Sequence, residues 1–303
     1  MIRPRAKEAM HPRNRFRGGY DFEGLLARSR ELRPFVKPNP HGDPSIDYAD
    51  PRAVKALNQA LLKQAHGLWW DLPEGYLCPP VPGRTDALHY LADLLAGRPG
   101  GAIPRGAAVR VLDVGMGANC IYPLLGASEY GWRFVGSEID PVALRWAETL
   151  VAKNPAVGKL IECRLQPTPS AVFAGVIRPG ETFDLSMCNP PFHTSAREAA
   201  GATARKQRNL GTARGERAVK NFGGGPSELW CPGGEVGFVR RMIAESLLFK
   251  DQCRWFTSLV SRSEHLPRLE AALRAVGPPV VKTIEMAQGQ KRSRLLAWTF
   301  QAV

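Results

Sequence analysis

Over the last two thirds of the chain, short apolar runs alternate with helix-spaced apolar positions. Val109 to Val114 reads as a strand, and Arg133 to Ser137 as a second that ends at Glu138. Lys159 to Leu165 and Thr182 to Cys188 follow as third and fourth, and Arg254 to Val260 as a fifth. Between them Pro141 opens a helix to about Lys153, with Val142, Leu144, Ala147 and Leu150 at its apolar positions. Residues 236–250 and Leu266 to Val276 predict further helices, and Val280 to Met286 and Arg294 to Phe300 a closing pair of strands. Strands interleaved with helices predict an α/β architecture. Here it would be a mostly parallel, Rossmann-like sheet of seven strands with helices on both faces.

The first third reads differently. Residues 36–50 are rich in Pro, Asn, Asp and Gly and predict a loop. Asp50 and Pro51 then form a helix start, followed by Val54, Leu57, Leu61 and Leu62 at helical spacing. Residues 66–83, with Trp69, Trp70, Tyr76 and several prolines, predict an ordered but irregular segment. Thr85 or Asp86 would cap a second helix carrying Leu88, Leu91, Leu94 and Leu95, and Gly97 to Gly106 reads as a linker. The expected organisation is a basic arm at 1–35, an N-terminal helical and irregular extension at 36–106, and the α/β domain at 107–303. A basic insertion at about 193–234 interrupts that domain.

Charge sharpens the picture. The chain of 303 residues is 44% apolar and carries a net charge of +13, from 41 basic and 28 acidic residues. Residues 1–33 hold nine Lys/Arg against four Asp/Glu, and residues 193–220 seven against two. Ten of the thirteen excess charges thus lie in two short stretches, which points to a polyanion. Neither stretch has a strong apolar face and no run is long enough to span a bilayer, so nucleic acid is favoured over membrane. In the arm, Arg13, Arg15 and Arg17 interleave with Phe16 and Tyr20, a mix suited to phosphates and bases or to a solvated tail that orders on RNA. In the insertion Arg197, Arg205, Lys206, Arg208 and Arg214 are the candidate contacts, on a mobile RNA clamp or a plain surface loop. The N-terminus has no apolar signal core, and the six scattered cysteines never form C-x-x-C. Reduced thiols in a cytoplasmic protein, with no metal site, are the expectation.

Three motifs fall at predicted strand ends. Asp113-Val114-Gly115-Met116-Gly117-Ala118-Asn119 follows the first strand of the α/β unit, and its glycines let backbone pass close to a nucleotide. The third glycine of a dinucleotide fingerprint is missing, with Cys120 in its place, and no Lys-Ser/Thr follows, so a pyrophosphate is a poor ligand. Glu138, at the end of the second strand, can accept both hydroxyls of a ribose. Asn189-Pro190-Pro191-Phe192 ends the fourth strand, because proline gives no N–H to a ladder. An outward amide, rigid carbonyls and an aromatic ring suit an amine-bearing base, although a plain strand-ending turn has the same composition.

Together these residues resemble the class I methyltransferases that use S-adenosylmethionine and act on exocyclic amines. His11-Pro12-Arg13-Asn14, Asn39-Pro40-His41-Gly42-Asp43, Tyr76-Leu77-Cys78-Pro79-Pro80, Ile121-Tyr122-Pro123-Leu124-Leu125-Gly126 and Glu228-Leu229-Trp230-Cys231 carry the resemblance further. They are similar to the bacterial large-subunit (23S) ribosomal RNA adenine-N6 methyltransferase family of F type, over nearly the whole chain. That resemblance implies S-adenosylmethionine as cofactor and 23S rRNA as partner. It implies that Gly115, Gly117, Asn119 and Glu138 line the cofactor pocket with Asp113 beside it, that Arg84 reaches the cofactor's carboxylate, and that Ser170 lies near its adenine. Asn189, Pro190, Pro191 and Phe192 would hold the target adenine. A DNA-adenine or protein-glutamine methyltransferase shares the Asn-Pro-Pro-aromatic pattern, and a non-catalytic ribosome-assembly factor is the alternative of another class.

Overall fold

The computed structural model describes residues 10–97, 100–195, 198, 226–288 and 291–302. Asp21 caps helix α1 (Phe22–Arg28) by accepting from the Gly24 N–H at 3.0 Å. A 3₁₀ turn leads into a small antiparallel hairpin, β1 (Val36–Pro38) and β2 (Pro44–Ile46). Asn39 Oδ1 shapes its turn by accepting from the His41 and Asp43 N–H groups at 2.8 and 3.0 Å. Helix α2 (Pro51–His66) starts at the predicted Asp50 cap and stops at Gly67, whose φ of 66° suits glycine.

Helix α3 (Val81–Ala96) begins four residues before Thr85, the earlier of the two predicted caps. Its first turn holds Pro82, which loses nothing there because N–H groups of a first turn have no helical acceptor. That earlier start puts Arg84 inside the helix rather than ahead of it.

Residues 10–35, expected as a free basic arm, fold onto α2 and α3. Phe16, Phe22, Leu25 and Leu32 are buried. Asn14 donates to the Pro82 carbonyl and to Asp86 Oδ1, both at 2.9 Å, and Asp86 Oδ1 also accepts from the His11 N–H at 2.8 Å. Arg13 spends its guanidinium on Asp93 (2.7 Å) and the His89 carbonyl (2.8 Å), and Arg15 pairs with Glu129 at 2.9 Å. Arg17 is half-buried with a shielded Nε.

The α/β unit then runs β3 (Arg110–Val114), α4 (Ile121–Tyr130), β4 (Arg133–Glu138), α5 (Pro141–Lys153), α6 (Pro155–Gly158), β5 (Ile161–Leu165) and β6 (Phe183–Cys188). After the insertion come α7 (Pro226–Leu229), α8 (Gly234–Ser246), β7 (Cys253–Val260), α9 (Leu266–Val276), β8 (Val280–Gln288) and β9 (Lys291–Thr299). The seven strands of the described sheet are ordered β5-β4-β3-β6-β7-β9-β8; the pairs from β5 to β7 are parallel, and β9 is antiparallel to both neighbours. The expected sheet and its closing hairpin are thus present.

Successive strand residues point to opposite faces, so Val111 joins one core and Leu112 the other. On the first face lie Leu57, Leu88, Leu91 and Ala147 from α2, α3 and α5; on the second, Val239, Met242 and Ile243 from α8 and Leu269 and Leu273 from α9. The crossover from β5 to β6 has no long helix. Val172, Phe173, Val176 and Ile177 plug the second face instead, and Glu245 of α8 collects the N–H groups of Val172, Phe173 and Ala174 at 2.6–2.9 Å. Strand order reverses between β3 and β6, since the chain moves outward through β4 and β5 and returns to β6 on the other side. A crevice opens at such a point, at the carboxyl ends of the strands.

Candidate active site

Register fixes the site. Val114 pairs with Ser137 on one side and with Cys188 on the other. Gly115, Glu138 and Asn189 therefore leave three adjacent strand ends side by side. A cavity of about 330 Å³ opens there, lined among others by Gly115, Gly117, Asn119, Glu138, Asn189 and Pro191. Its size and largely apolar wall are those of a small-molecule pocket.

The loop after β3 makes room for a ligand. Gly115 and Gly117 have φ of 71° and 67°, a region where a side chain is strained. A Cβ on Gly117 would come within 3.0 Å of Asn119 Nδ2 and 3.1 Å of Glu228 Oε1, narrowing the cavity. Cys120, in the place of the missing third glycine, takes a left-handed conformation itself (φ 47°). Asn119 Oδ1 accepts from the Ile121 N–H at 3.1 Å and so caps the entry to α4.

Glu138 is 5% exposed. Burial pushes its carboxyl up, while the N–H groups of Asp140, Gly117 and Ile139, at 2.8–2.9 Å, hold the charge in place. Asp113 is also buried, and burial pushes it up to about 8; the nearby Arg84 cation opposes the rise and Glu138 adds to it. Asp113 Oδ2 has no hydrogen-bond partner among the described residues. Arg84 lines the cavity, donates to the Tyr122 hydroxyl at 2.8 Å and has a shielded Nε without a partner among the described residues.

The corner after β6 lies at the rim of the cavity. Asn189 is half-buried and lines the cavity. Pro190 is buried and Phe192 half-buried, and neither is among the lining residues.

Asp113, expected beside the pocket, is buried under the loop and does not line the cavity. Ser170 is exposed; Gln166, Pro169, Ala171 and Val172 of the same crossover do the lining, because the tight turn there aims Ser170 outward. Arg197, Arg205, Lys206, Arg208 and Arg214 lie outside the described residues.

The structure adds residues that sequence reasoning left without a role. Glu228 accepts from the Leu77 N–H at 2.9 Å, and Trp230, Phe238 and Arg241 complete the wall. Glu228-Leu229-Trp230-Cys231 was visible as a motif, and Gln166 follows a strand end, so both carried a signal. Among the described residues no His/Cys/Asp/Glu cluster could hold a metal ion, and no helix is long and apolar enough to cross a membrane.

A mostly parallel sheet reversed at β3/β6, with an acid ending β4 and an Asn-Pro-Pro-Phe corner after β6, defines a class I methyltransferase fold. Residues 4–302 match the family model described as RNA methyltransferase. The chain belongs to that RNA methyltransferase family. It is similar to the ribosomal RNA large subunit methyltransferase F of Serratia proteamaculans, 54% identical over 98% of this chain and 89% of that protein. The protein of the same name from Aeromonas salmonicida is 56% identical over 97% and 92%. Among solved structures, the hMettl16 catalytic domain in complex with MAT2A 3′UTR hairpin 1 superposes with a TM-score of 0.81 at 34% identity, covering 97% of this chain and 96% of that one. The N-terminal domain of human METTL16 in complex with SAH does so with a TM-score of 0.76 at 30% identity, over 97% and 99%.

Proposed function

We propose that this chain transfers a methyl group from S-adenosylmethionine to N6 of an adenine in 23S ribosomal RNA, in the cytoplasm. One observation carries the reading: the glycine loop, Glu138 and Asn189 end three adjacent strands and share one cavity. The names of the relatives and the RNA- and SAH-bound neighbours support RNA and this cofactor.

The residues fit the cofactor. Gly117 leaves open space that a Cβ would narrow, and the shielded Arg84 Nε, without a partner among the described residues, leaves one donor unmet near the loop. Arg84 would hold its carboxylate, Glu138 its ribose hydroxyls, and Gly115, Gly117 and Asn119 its flank. When bound, S-adenosylmethionine supplies a methyl group made electrophilic by its sulfonium.

The corner does the rest. An adenine amine is a weak nucleophile because its lone pair is delocalised into the ring. Asn189 Oδ1 and the Pro190 carbonyl accept from the two N6–H groups, localise that pair and aim it. Positioning of this kind supplies several kcal/mol, about 7–11 at the limit. The motif contains no His, Asp or Glu, and none is needed, since N6 becomes acidic as it gains positive charge. Phe192 stacks on the extruded base and offsets part of the unstacking cost.

Arg13 and Arg15 are committed to ion pairs within the chain, so phosphate contacts fall to Arg3, Arg5, Lys7 and Arg17 of the arm and to Arg197, Arg205, Lys206, Arg208 and Arg214. Tritiated methyl transfer by the purified chain to 23S rRNA, DNA and protein tests the reading. Label in rRNA adenine is expected; label confined to DNA or protein, or none at all, overturns it.

A further inference from the structure

The cavity wall beside the Asn189 corner holds a hydrogen-bond donor with no acceptor among the described residues. His193, next after Phe192, forms a parallel bridge with Trp230: the His193 N–H donates to the Leu229 carbonyl at 3.0 Å, and the Cys231 N–H to the His193 carbonyl at 3.1 Å. Two backbone bonds thus fix Trp230 against the corner, and Trp230 lines the same cavity as Asn189 and Pro191. Its indole Nε1 is shielded from solvent and has no acceptor among the described residues. Four other indoles are satisfied: Trp70 donates to the Asn119 carbonyl (2.8 Å), Trp132 to that of Pro104 (2.8 Å), Trp146 to that of Asp71 (3.1 Å) and Trp298 to Ser246 Oγ (2.9 Å). An indole N–H can only donate, and leaving it dry and unpaired is costly unless a partner arrives with a ligand.

The expected ligand has that partner. An adenine whose amine is gripped by Asn189 presents a ring-nitrogen acceptor on either side of that amine, N1 on one edge and N7 on the other. We propose that the Trp230 indole N–H donates to one of these nitrogens, which makes Trp230 a specificity-determining residue of the base pocket. The inference rests on the adenine-N6 reading and deepens it. Acceptors at the corner read the amine, and a donor on the wall reads the nitrogen beside it. A base with an N–H at that edge places two donors against each other and is rejected.

The test uses an rRNA fragment whose modified adenine, once mapped, is replaced by 1-deaza- or 7-deazaadenosine. Wild-type enzyme is expected to lose about 5- to 10-fold in kcat/KM on the analogue lacking the contacted nitrogen. Trp230→Phe, which keeps a ring and removes the N–H, should lose a similar factor on the unmodified fragment and no more on that analogue. Its melting temperature and affinity for S-adenosylhomocysteine should match wild type, which separates lost recognition from misfolding. A deaza penalty of the same size in Trp230→Phe, or full activity of that variant on the unmodified fragment, overturns this proposal alone. Failure of the wild type to methylate RNA overturns it together with the functional reading.

Discussion

Gly136 in β4 supports the cofactor loop from below. A Cβ built there would lie 2.3 Å from Met116 Sδ and 3.2 Å from its Cγ. Met116 stands between the two loop glycines, is 3% exposed, and its N–H donates to the Ser137 carbonyl at 2.9 Å. Gly136→Ala is an ordinary strand residue as far as backbone is concerned, so the cost is steric. Overpacking a filled core costs about 1–3 kcal/mol. A chain of this length has an unfolding entropy of about 0.6 kcal/mol/K, which converts that to a fall of about 2–5 °C in melting temperature. Displacement of Met116 also moves Gly115 and Gly117, so affinity for S-adenosylhomocysteine should drop with stability. Met116→Ala supplies the control. Alone it opens a cavity and costs about 2–5 kcal/mol, but with the thioether gone the new methyl at 136 has room. Calorimetric melting and isothermal titration of all four variants then form a cycle. Gly136→Ala should be neutral or stabilising in the Met116→Ala background, a coupling of about 1 kcal/mol or more. Additive losses, or a Gly136→Ala variant that melts and binds like wild type, would refute the steric link between β4 and the loop.

Two other consequences concern the N-terminal packing. His89, fully buried against the Tyr130 hydroxyl at 2.6 Å, is pushed down to about 3 by burial and by the nearby His11 and Arg13 charges. The unfolded chain takes up a proton near 6.5 that the folded one refuses, so this contribution is complete above about pH 6.5 and fades as pH falls towards about 3. About 2 kcal/mol should be gone by pH 5, and His89→Gln should remove that part of the slope in denaturant titrations; identical slopes would count against it. Deleting residues 1–33 should unfold the protein or lower its melting temperature by many degrees, since Phe16, Phe22, Leu25 and Leu32 bring about 1.5–3 kcal/mol each. Deleting residues 1–9 removes Arg3, Arg5 and Lys7 while sparing those contacts, and should weaken RNA binding and flatten its dependence on salt. An unchanged slope in filter-binding titrations would exclude phosphate contacts by these three.

Strands β3 to β9 were legible because buried parallel strands are near-continuous apolar runs and β8 and β9 close the chain in order. Helix α4 was not, since Ile121 to Ala127 are all buried and show no polar face to set a period. The prolines from Pro79 to Pro82 read as irregular chain, although one of them sits in a helix's first turn. Arginines in residues 10–35 outweighed four apolar anchors that join a core built with α2 and α3, a long-range packing that composition does not sense. At the site the same division holds. Gly115, Glu138, Gln166 and Asn189 stand at strand ends and could be placed by topology, whereas Glu228, Trp230 and Arg241 arrive on a crossover whose path depends on tertiary contacts.

Asn189 is the residue on which the proposed chemistry depends most directly. Its side chain lies half-buried in the cavity wall, so replacing it disturbs little else. In parallel assays on Asn189→Ala, affinity for S-adenosylhomocysteine should stay within about threefold of wild type while methyl transfer to 23S rRNA falls at least about 100-fold. Turnover near the wild-type rate would contradict the claim that this corner holds and activates the adenine amine.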